Sequence, residues 1–434
     1  MSGSAPSALP SPRGPHPAAV SRGGAAPSRS LARVARGDLC AGCGGCAALA
    51  PGAVEMTVAP PGYLRPRQTG PVSAEQDAAI ARICPGLTQI VEAAGRIDDP
   101  LWGPYLEMRS GHAADAALRH AGASGGALSM LALHLLESGR VEAVLATAAD
   151  PDLPIGNAAV ELRDRDGILA AAGSRYAPSA PLADLRARLA AAPDDRFAVI
   201  CKPCDAAALR ALIAEEPGLA PRIPVILSFF CAGVPSHAGG RAVLEALGTA
   251  LERTAAFRFR GMGWPGRATA RDLSGTERSM SYHDSWGGIL SRHVQHRCKI
   301  CPDGTGTAAD LVCADAWESD ERGYPVFEEG EGTSLIVART ETGRAILEAA
   351  VAAGRVETRP FDPAALAAIQ PGQRERRRAL LARLAGLALA GRPVPRYRGL
   401  RLTAAARQNT PARHLRNFLG MLRRARRIGR APRN

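Results

Sequence analysis

A chain of 434 residues, 46 % hydrophobic and 22 % charged, is long enough to bury a sizeable core, which excludes a disulfide-stapled mini-protein. Its net charge of +13 suggests a nucleic-acid partner only until it is divided along the chain: residues 373–434 hold 18 arginines, no lysine and one acid, Glu375, a net of +17, and the remainder carries −4. No groove-binding motif accompanies the arginines, so no nucleic-acid partner is expected, and the longest apolar stretch, Ile223 to Pro235, falls far short of the ~18 residues of a membrane span.

Residues 1–36 are dense in Pro, Gly, Ser and Ala with interspersed Arg, and read as a disordered leader without the apolar region of an export signal. Residues 37–102 form a short cysteine-bearing segment. Strand-like and helix-like stretches then alternate through residues 103–192 and 193–371, the two parts of an α/β core, and residues 372–434 are the Arg-rich tail. Val144 to Thr147, Phe197 to Ile200, Val225 to Phe230 and Ser334 to Ala338 are apolar runs ending in loop signals, as buried strands are. Ala127 to Glu137, Ala206 to Ala214, Ala238 to Leu251 and Gly343 to Ala353 have the apolar recurrence of helices packed on a sheet. Val160 to Leu162 and Ile168 to Ala172, joined through Asp166-Gly167, predict a hairpin, and hence a mixed sheet. In the tail, Leu415 to Ile428 interleaves Phe418, Leu419, Met421 and Leu422 with arginines, the pattern of a basic amphipathic helix. Such a helix either docks on an acidic protein or anionic membrane surface, or simply caps the fold.

Ten cysteines in a chain without an export signal point to reduced thiols, a cytoplasmic setting, and metal or redox chemistry. Cys40-Ala-Gly-Cys43-Gly-Gly-Cys46 has the C-x2-C-x2-C spacing of an iron-sulfur binding loop, with small residues that let the backbone wrap a cluster. The place of the usual fourth ligand holds Ala50 before Pro51, whereas Cys84 is itself followed by Pro85 and is the natural fourth ligand to a 4Fe-4S cluster. Structural zinc on the same four sulfurs is the alternative. Cys204 and Cys231 each follow a predicted strand, and Cys298-Lys-Ile-Cys301 adds a pair, so these four make a second candidate set. Cys201-Lys-Pro-Cys204 competes with that grouping as a zinc-ribbon half or a redox pair, and Cys313 reads equally well as a core thiol.

These cysteines fall among other segments that together resemble the coenzyme F420 hydrogenase/dehydrogenase beta-subunit family, which includes 7-hydroxymethyl chlorophyll a reductase and a divinyl chlorophyllide vinyl reductase. The segments are Ile83 to Gly86, Ala123 to Gly126, Gly173 to Tyr176, Lys202 to Asp205, Gly261 to Gly266, Arg297 to Gly304 and Asp310 to Trp317, in that order. The resemblance implies FAD, one or two 4Fe-4S clusters, and electron passage between a ferredoxin-like or deazaflavin partner and a small-molecule substrate. Cys201, Cys313 and Ala314 depart from the family's usual pattern, and the leader and tail lie outside it.

Within that frame, Ser124-Gly125-Gly126 before a strong helix would expose backbone N–H groups to a phosphate, unless Ser124 is a simple helix cap. Ser174, Arg175 and Tyr176 would bring a fixed charge and an aromatic donor to the flavin, and Lys202 a cation at a strand-loop-helix turn. Trp264 and Trp317 cover either a cofactor or the core. The sequence therefore reads as an α/β iron-sulfur flavoenzyme, with a mixed-sheet flavin-binding core, an N-terminal iron-sulfur segment and a basic helical tail. Its rivals are an electron-transfer subunit without its own substrate site and a zinc-stabilised, non-redox assembly module of a polysaccharide gene cluster.

Overall fold

The computed structural model describes residues 26–316 and 329–428. Eight strands form the main sheet: β1 (Glu107–Ala113), β2 (Ala143–Ala149), β3 (Asn157–Leu162), β4 (Phe197–Ile200), β5 (Val225–Phe229), β6 (Leu311–Asp315), β7 (Ser334–Ala338) and β8 (Val356–Pro360). Their spatial order is β8-β1-β7-β6-β5-β4-β2-β3. The four central strands, β6, β5, β4 and β2, are parallel, and every other pairing is antiparallel.

The central strands are apolar on both faces because both faces are covered. Leu145, Phe197, Val199, Ile226, Val312 and Leu335 turn one way, into a core shared with Leu209 and Leu212. Val144, Ala198, Val225, Leu227, Leu311 and Ile336 turn the other way, against Leu131, Leu135, Ile346 and Leu347. This alternation follows from the two-residue period of a strand. The helices that supply the covers and caps are α1 (Arg29–Gly37), α2 (Ala74–Ile83), α3 (Ala127–Glu137), α4 (Pro203–Glu215), α5 (His237–Ala246), α6 (Glu341–Ala352), α7 (Pro371–Leu389) and α8 (Pro411–Ala425). A small antiparallel sheet of Thr254–Arg258, Arg267–Asp272 and Glu277–Ser281 shares a separate core with α5 through Phe257, Phe259, Val243 and Leu244.

Two expectations change. The predicted hairpin through Asp166-Gly167 is absent, because Arg165–Ala170 is a helix whose cap, Asp164, accepts from the Gly167 N–H at 2.7 Å. The sheet is mixed all the same: β2 and β3 form an antiparallel pair, in register from Val144 with Leu162 to Ala149 with Asn157. The leader is not disordered to residue 36, since α1 begins at Arg29; Ser28 caps it, and the Ser30 backbone N–H donates to Asp77 at 3.1 Å. Residues 1–25 and Trp317 lie outside the described residues.

The Arg-rich tail is folded onto the cysteine segment. Leu380 and Leu387 of α7 and Met421 and Ala425 of α8 share a core with Val34, Leu39, Cys40, Leu87 and Ile300. The two tail helices cross closely at Gly386, where a Cβ would stand 2.6 Å from the Phe418 carbonyl. Among the described residues no helix is long and apolar enough to cross a membrane.

Candidate cofactor cavity and cysteine sets

A cavity of about 280 Å³ opens at the C-terminal ends of the parallel strands, the position at which open α/β sheets gather ligands. Ser124, Gly126, Ser174, Arg175, Tyr176 and Lys202 all line it. Gly125 stands behind the wall, with its carbonyl accepting from the Ala113 N–H at 2.8 Å. Ser124 is not the helix cap: α3 is capped by Gly126, at φ 69°, and no side chain closes its first turn. A Cβ on Gly126 would lie 2.4 Å from the Leu118 carbonyl oxygen, so the turn admits no larger residue. Its open N-terminus leaves backbone N–H groups and the positive end of the helix dipole at the cavity wall.

Arg175 is held rather than free. Its Nε donates to Asn157 at 2.9 Å, and its terminal nitrogens donate to the carbonyls of Phe257, Pro154 and Gly156. All four partners are neutral, and burial pulls the guanidinium down to about 10. Among the described ion pairs none neutralises it, so its charge remains available to an anion in the cavity. Lys202 is the opposite case. Its ammonium donates to Ser179 Oγ at 2.6 Å and the Ser179 carbonyl at 3.2 Å, and pairs with Asp205 at 2.7 Å. Its charge is cancelled, and it fastens the β4–α4 turn. Tyr176 packs against Trp286 with ring centroids 4.7 Å apart, which gives the cavity an aromatic corner. Trp264 is buried and does not line the cavity; its backbone pairs with Gly330.

Sequence reasoning did not find Arg260, which lines the same cavity and forms a two-point ion pair with Asp315 at the end of β6. Arg260 abuts one segment that drew attention and Asp315 lies within another, but a partner 55 positions away leaves no local signal. Ser174 pairs its backbone with Arg260, and that contact brings the two arginines to one wall.

Cys40, Cys43, Cys46 and Cys84 line one small, otherwise apolar cavity with Leu31, Val34, Met56, Ile80 and Ile83. The chain wraps it through Gly42 and Gly44, both left-handed; a Cβ on Gly44 would come 2.5 Å from the Ala183 nitrogen. Cys84 arrives at the C-terminal end of α2, while Ala50 is packed in a separate small core with Ala47, Ala53 and Val54. Burial raises all four thiols, Cys84 to about 11. Thiolates there need a bound positive partner.

Cys204, Cys231, Cys298 and Cys301 form the second group, in which Cys204 feels the charges of Cys231 and Cys301, and Cys231 those of Cys298 and Cys301. Cys201 directly follows β4, with its carbonyl accepting from Ser228 Oγ at 2.8 Å, and Cys313 lies in β6 against the core beneath α3, pushed up to about 12 by burial alone; both line the cavity. The carbonyl of Cys231 accepts from Gln373 Nε2 at 3.0 Å and Arg376 Nη1 at 2.9 Å, both from α7. Between the two groups lies Arg297, whose Nη2 donates to the Pro85 carbonyl at 2.6 Å and whose Nη1 donates to that of Ile300 at 3.3 Å. Among the described residues no three His, Cys, Asp or Glu side chains are spaced to hold a single metal ion.

Two family models describe the N-terminal and C-terminal parts of the coenzyme F420 hydrogenase/dehydrogenase beta subunit; residues 108–186 match the first and residues 194–364 the second. The chain is 25 % identical over 264 residues to coenzyme F420 hydrogenase subunit beta of Methanococcus voltae, covering 60 % of this chain and 86 % of that protein. The protein of the same name from Methanothermobacter thermautotrophicus is 23 % identical over 265 residues, with the same coverage of 60 % and 86 %. A chain from a xenon-derivatised F420-reducing NiFe hydrogenase complex of Methanosarcina barkeri superposes with a TM-score of 0.52 at 22 % identity, over 64 % of this chain and 91 % of that one, a likeness of fold. The family matches cover the main sheet, Cys204, Cys231, Cys298 and Cys301; the first cysteine group and α8 lie outside them. Together they span more than half of the sequence, and the protein belongs to the coenzyme F420 hydrogenase/dehydrogenase beta-subunit family.

Proposed function

We propose that this chain is an iron-sulfur flavoprotein oxidoreductase that moves electrons between a ferredoxin-like or deazaflavin carrier and a substrate at the cavity. The observation that carries the reading is the position of Cys231, which lines the cavity and belongs to the second cysteine group, so that the two sites share a wall. When bound, 4Fe-4S clusters exchange single electrons and FAD one or two, which converts between one-electron carriers and hydride chemistry.

The residues present suit those groups. Cys40, Cys43, Cys46 and Cys84 offer four sulfurs in an apolar cage, and Cys204, Cys231, Cys298 and Cys301 four more. The C-x2-C-x2-C run of Cys40, Cys43 and Cys46 favours a cluster over zinc, whose sites usually take two separated cysteine pairs. The open N-terminus of α3, with Ser124 to Gly126, and the uncancelled charge of Arg175 suit the phosphates of FAD, while Ser174 and Tyr176 shape the adjoining wall. Lys202 orders this wall through Asp205 and Ser179 rather than supplying free charge. The acidic carrier docks on the outer face of α8, where Leu415 and Leu419 are 58 % and 38 % exposed among Arg416, Arg423 and Arg426, directly over the core that contains Cys40. A cytoplasmic setting agrees with ten free cysteines.

Anaerobic purification with iron, sulfide, zinc and flavin analysis tests this reading. About eight iron and eight sulfide per chain with bound FAD is the expected result; a colourless zinc protein overturns it. The subunit names of the relatives favour a second reading, a subunit that passes electrons to a catalytic partner. Substrate turnover by the isolated chain decides between the two.

A further inference from the structure

We infer that Arg297 is a positioning cation shared by the two cysteine groups, and that its one charge sets the reduction potentials of both clusters together. The inference rests on the two-cluster reading above. Arg297 is 2 % exposed. Its Nη2 bonds the carbonyl of Pro85, the residue after Cys84, and its Nη1 bonds that of Ile300, between Cys298 and Cys301. It directly precedes Cys298 in the chain. The fork of one guanidinium therefore reaches the backbone of a ligand loop in each group.

The surroundings give this charge no counter-ion among the described residues: no carboxylate there pairs with Arg297, and its Nε is buried without a hydrogen-bond partner. The group facing it from the tail is the ring of Tyr397, 5.9 Å from the guanidinium carbon, and the Tyr397 hydroxyl donates to the same Ile300 carbonyl at 3.0 Å. A buried cation without a counter-ion is strongly disfavoured, so its balancing charge must come from the sulfurs on either side. Adding an electron to either cluster adds negative charge beside this cation, which stabilises the reduced form of each.

Arg376 provides the internal control. It bonds the carbonyls of Cys231 and Ala232, at 2.9 and 2.6 Å, and so reaches the second group alone.

The test is a redox titration of the full chain followed by electron paramagnetic resonance, with iron and sulfide counted on every sample. Arg297→Gln should lower both midpoints, so that at fixed poise the reduced-to-oxidised ratio of each cluster falls by about tenfold. Arg297→Lys, whose point charge cannot bond both carbonyls, should move both in the same sense by less. Arg376→Gln should move one centre only. Movement of a single centre in either Arg297 variant, or of neither, overturns the inference. Where Arg297→Gln fails to retain iron, Arg297→Lys carries the same criterion. Wild-type protein without two clusters removes the underlying reading instead, and the iron and sulfide count reports that separately.

Discussion

Arg260 and Asp315 meet in a two-point ion pair, Nη1 to Oδ2 at 2.9 Å and Nη2 to Oδ1 at 2.8 Å, on the wall of the cavity at the strand ends. Arg260 is 3 % exposed and lies over the Tyr282 ring, so the pair ties the turn after Thr254–Arg258 to the end of β6. Removing one partner leaves a buried charge unopposed. Asp315→Asn is expected to destabilise the fold by about 3–5 kcal/mol, read as a lower midpoint in urea. A loss within about 0.5 kcal/mol, the range of ordinary surface changes, would show that the pair is not coupled to the fold.

For the first cysteine group, Cys84→Ala should lower iron and sulfide by about one cluster's share, or leave a three-iron signal. Cys201→Ala and Cys313→Ala should leave the iron count unchanged, since neither thiol joins a cysteine group. Full retention of both clusters in Cys84→Ala would remove that residue from the ligand set.

Gly126→Ala sets a Cβ 2.4 Å from the Leu118 carbonyl at a φ of 69°. The strain should cost about 1–2 kcal/mol and close the open turn of α3. The expected outcome is FAD affinity lowered by about tenfold, with iron unchanged, measured by fluorescence of released flavin. Unaltered flavin binding in a variant that has lost stability would separate the turn from the cofactor.

Arg175→Ala removes both charge and tethers, whereas Arg175→Lys keeps the charge without the four-point anchorage. If the uncancelled charge is what holds an anion, Lys should retain more flavin than Ala on gel filtration. Equal retention by Ala and wild type would dismiss the role.

Truncation after Pro371 should not leave a working core, because it strips Leu380, Leu387, Met421 and Ala425 from the cap over Cys40 and Ile300. Loss of iron and cooperative unfolding is the expected result. The outer face of α8 can be tested without that damage: Arg416→Glu with Arg423→Glu should keep iron and flavin while weakening an acidic carrier by about tenfold at low salt. The difference should vanish as salt screens it. Binding insensitive to this charge reversal would place the carrier elsewhere.

Much of the sheet could be read from local pattern. Phe197–Ile200, Ser334–Ala338 and Ala127–Glu137 run between the expected residues, because buried strands and a packed helix impose their periods directly on sequence. Asp166-Gly167 misled because the same residues start a helix once Asp164 caps it, and Ile168 then turns into the core beneath α3. The beginning of α1 was hidden in a leader-like composition; what orders it is a contact with Asp77, nearly fifty residues on. At the site, Ser124, Gly126, Ser174, Arg175, Tyr176 and Lys202 were identifiable by motif, but Arg260 was not, and neither was the pairing of any of them. Lys202 and Arg175 look alike in sequence, and only the presence of Asp205 against one and neutral acceptors around the other makes one charge silent and the other felt.

The clamp on the second cysteine group is the last part of it to be synthesised. Gln370 donates to the Asp315 carbonyl at 2.9 Å, and Gln373 and Arg376 to that of Cys231, so α7 fastens loops whose cysteines left the ribosome long before. The order of translation therefore runs against the order of fastening: Cys231 emerges well before Gln373 and Arg376, whose side chains bond its carbonyl. On the two-cluster reading, nascent chains arrested before Gln370 should carry less iron than chains that include α7.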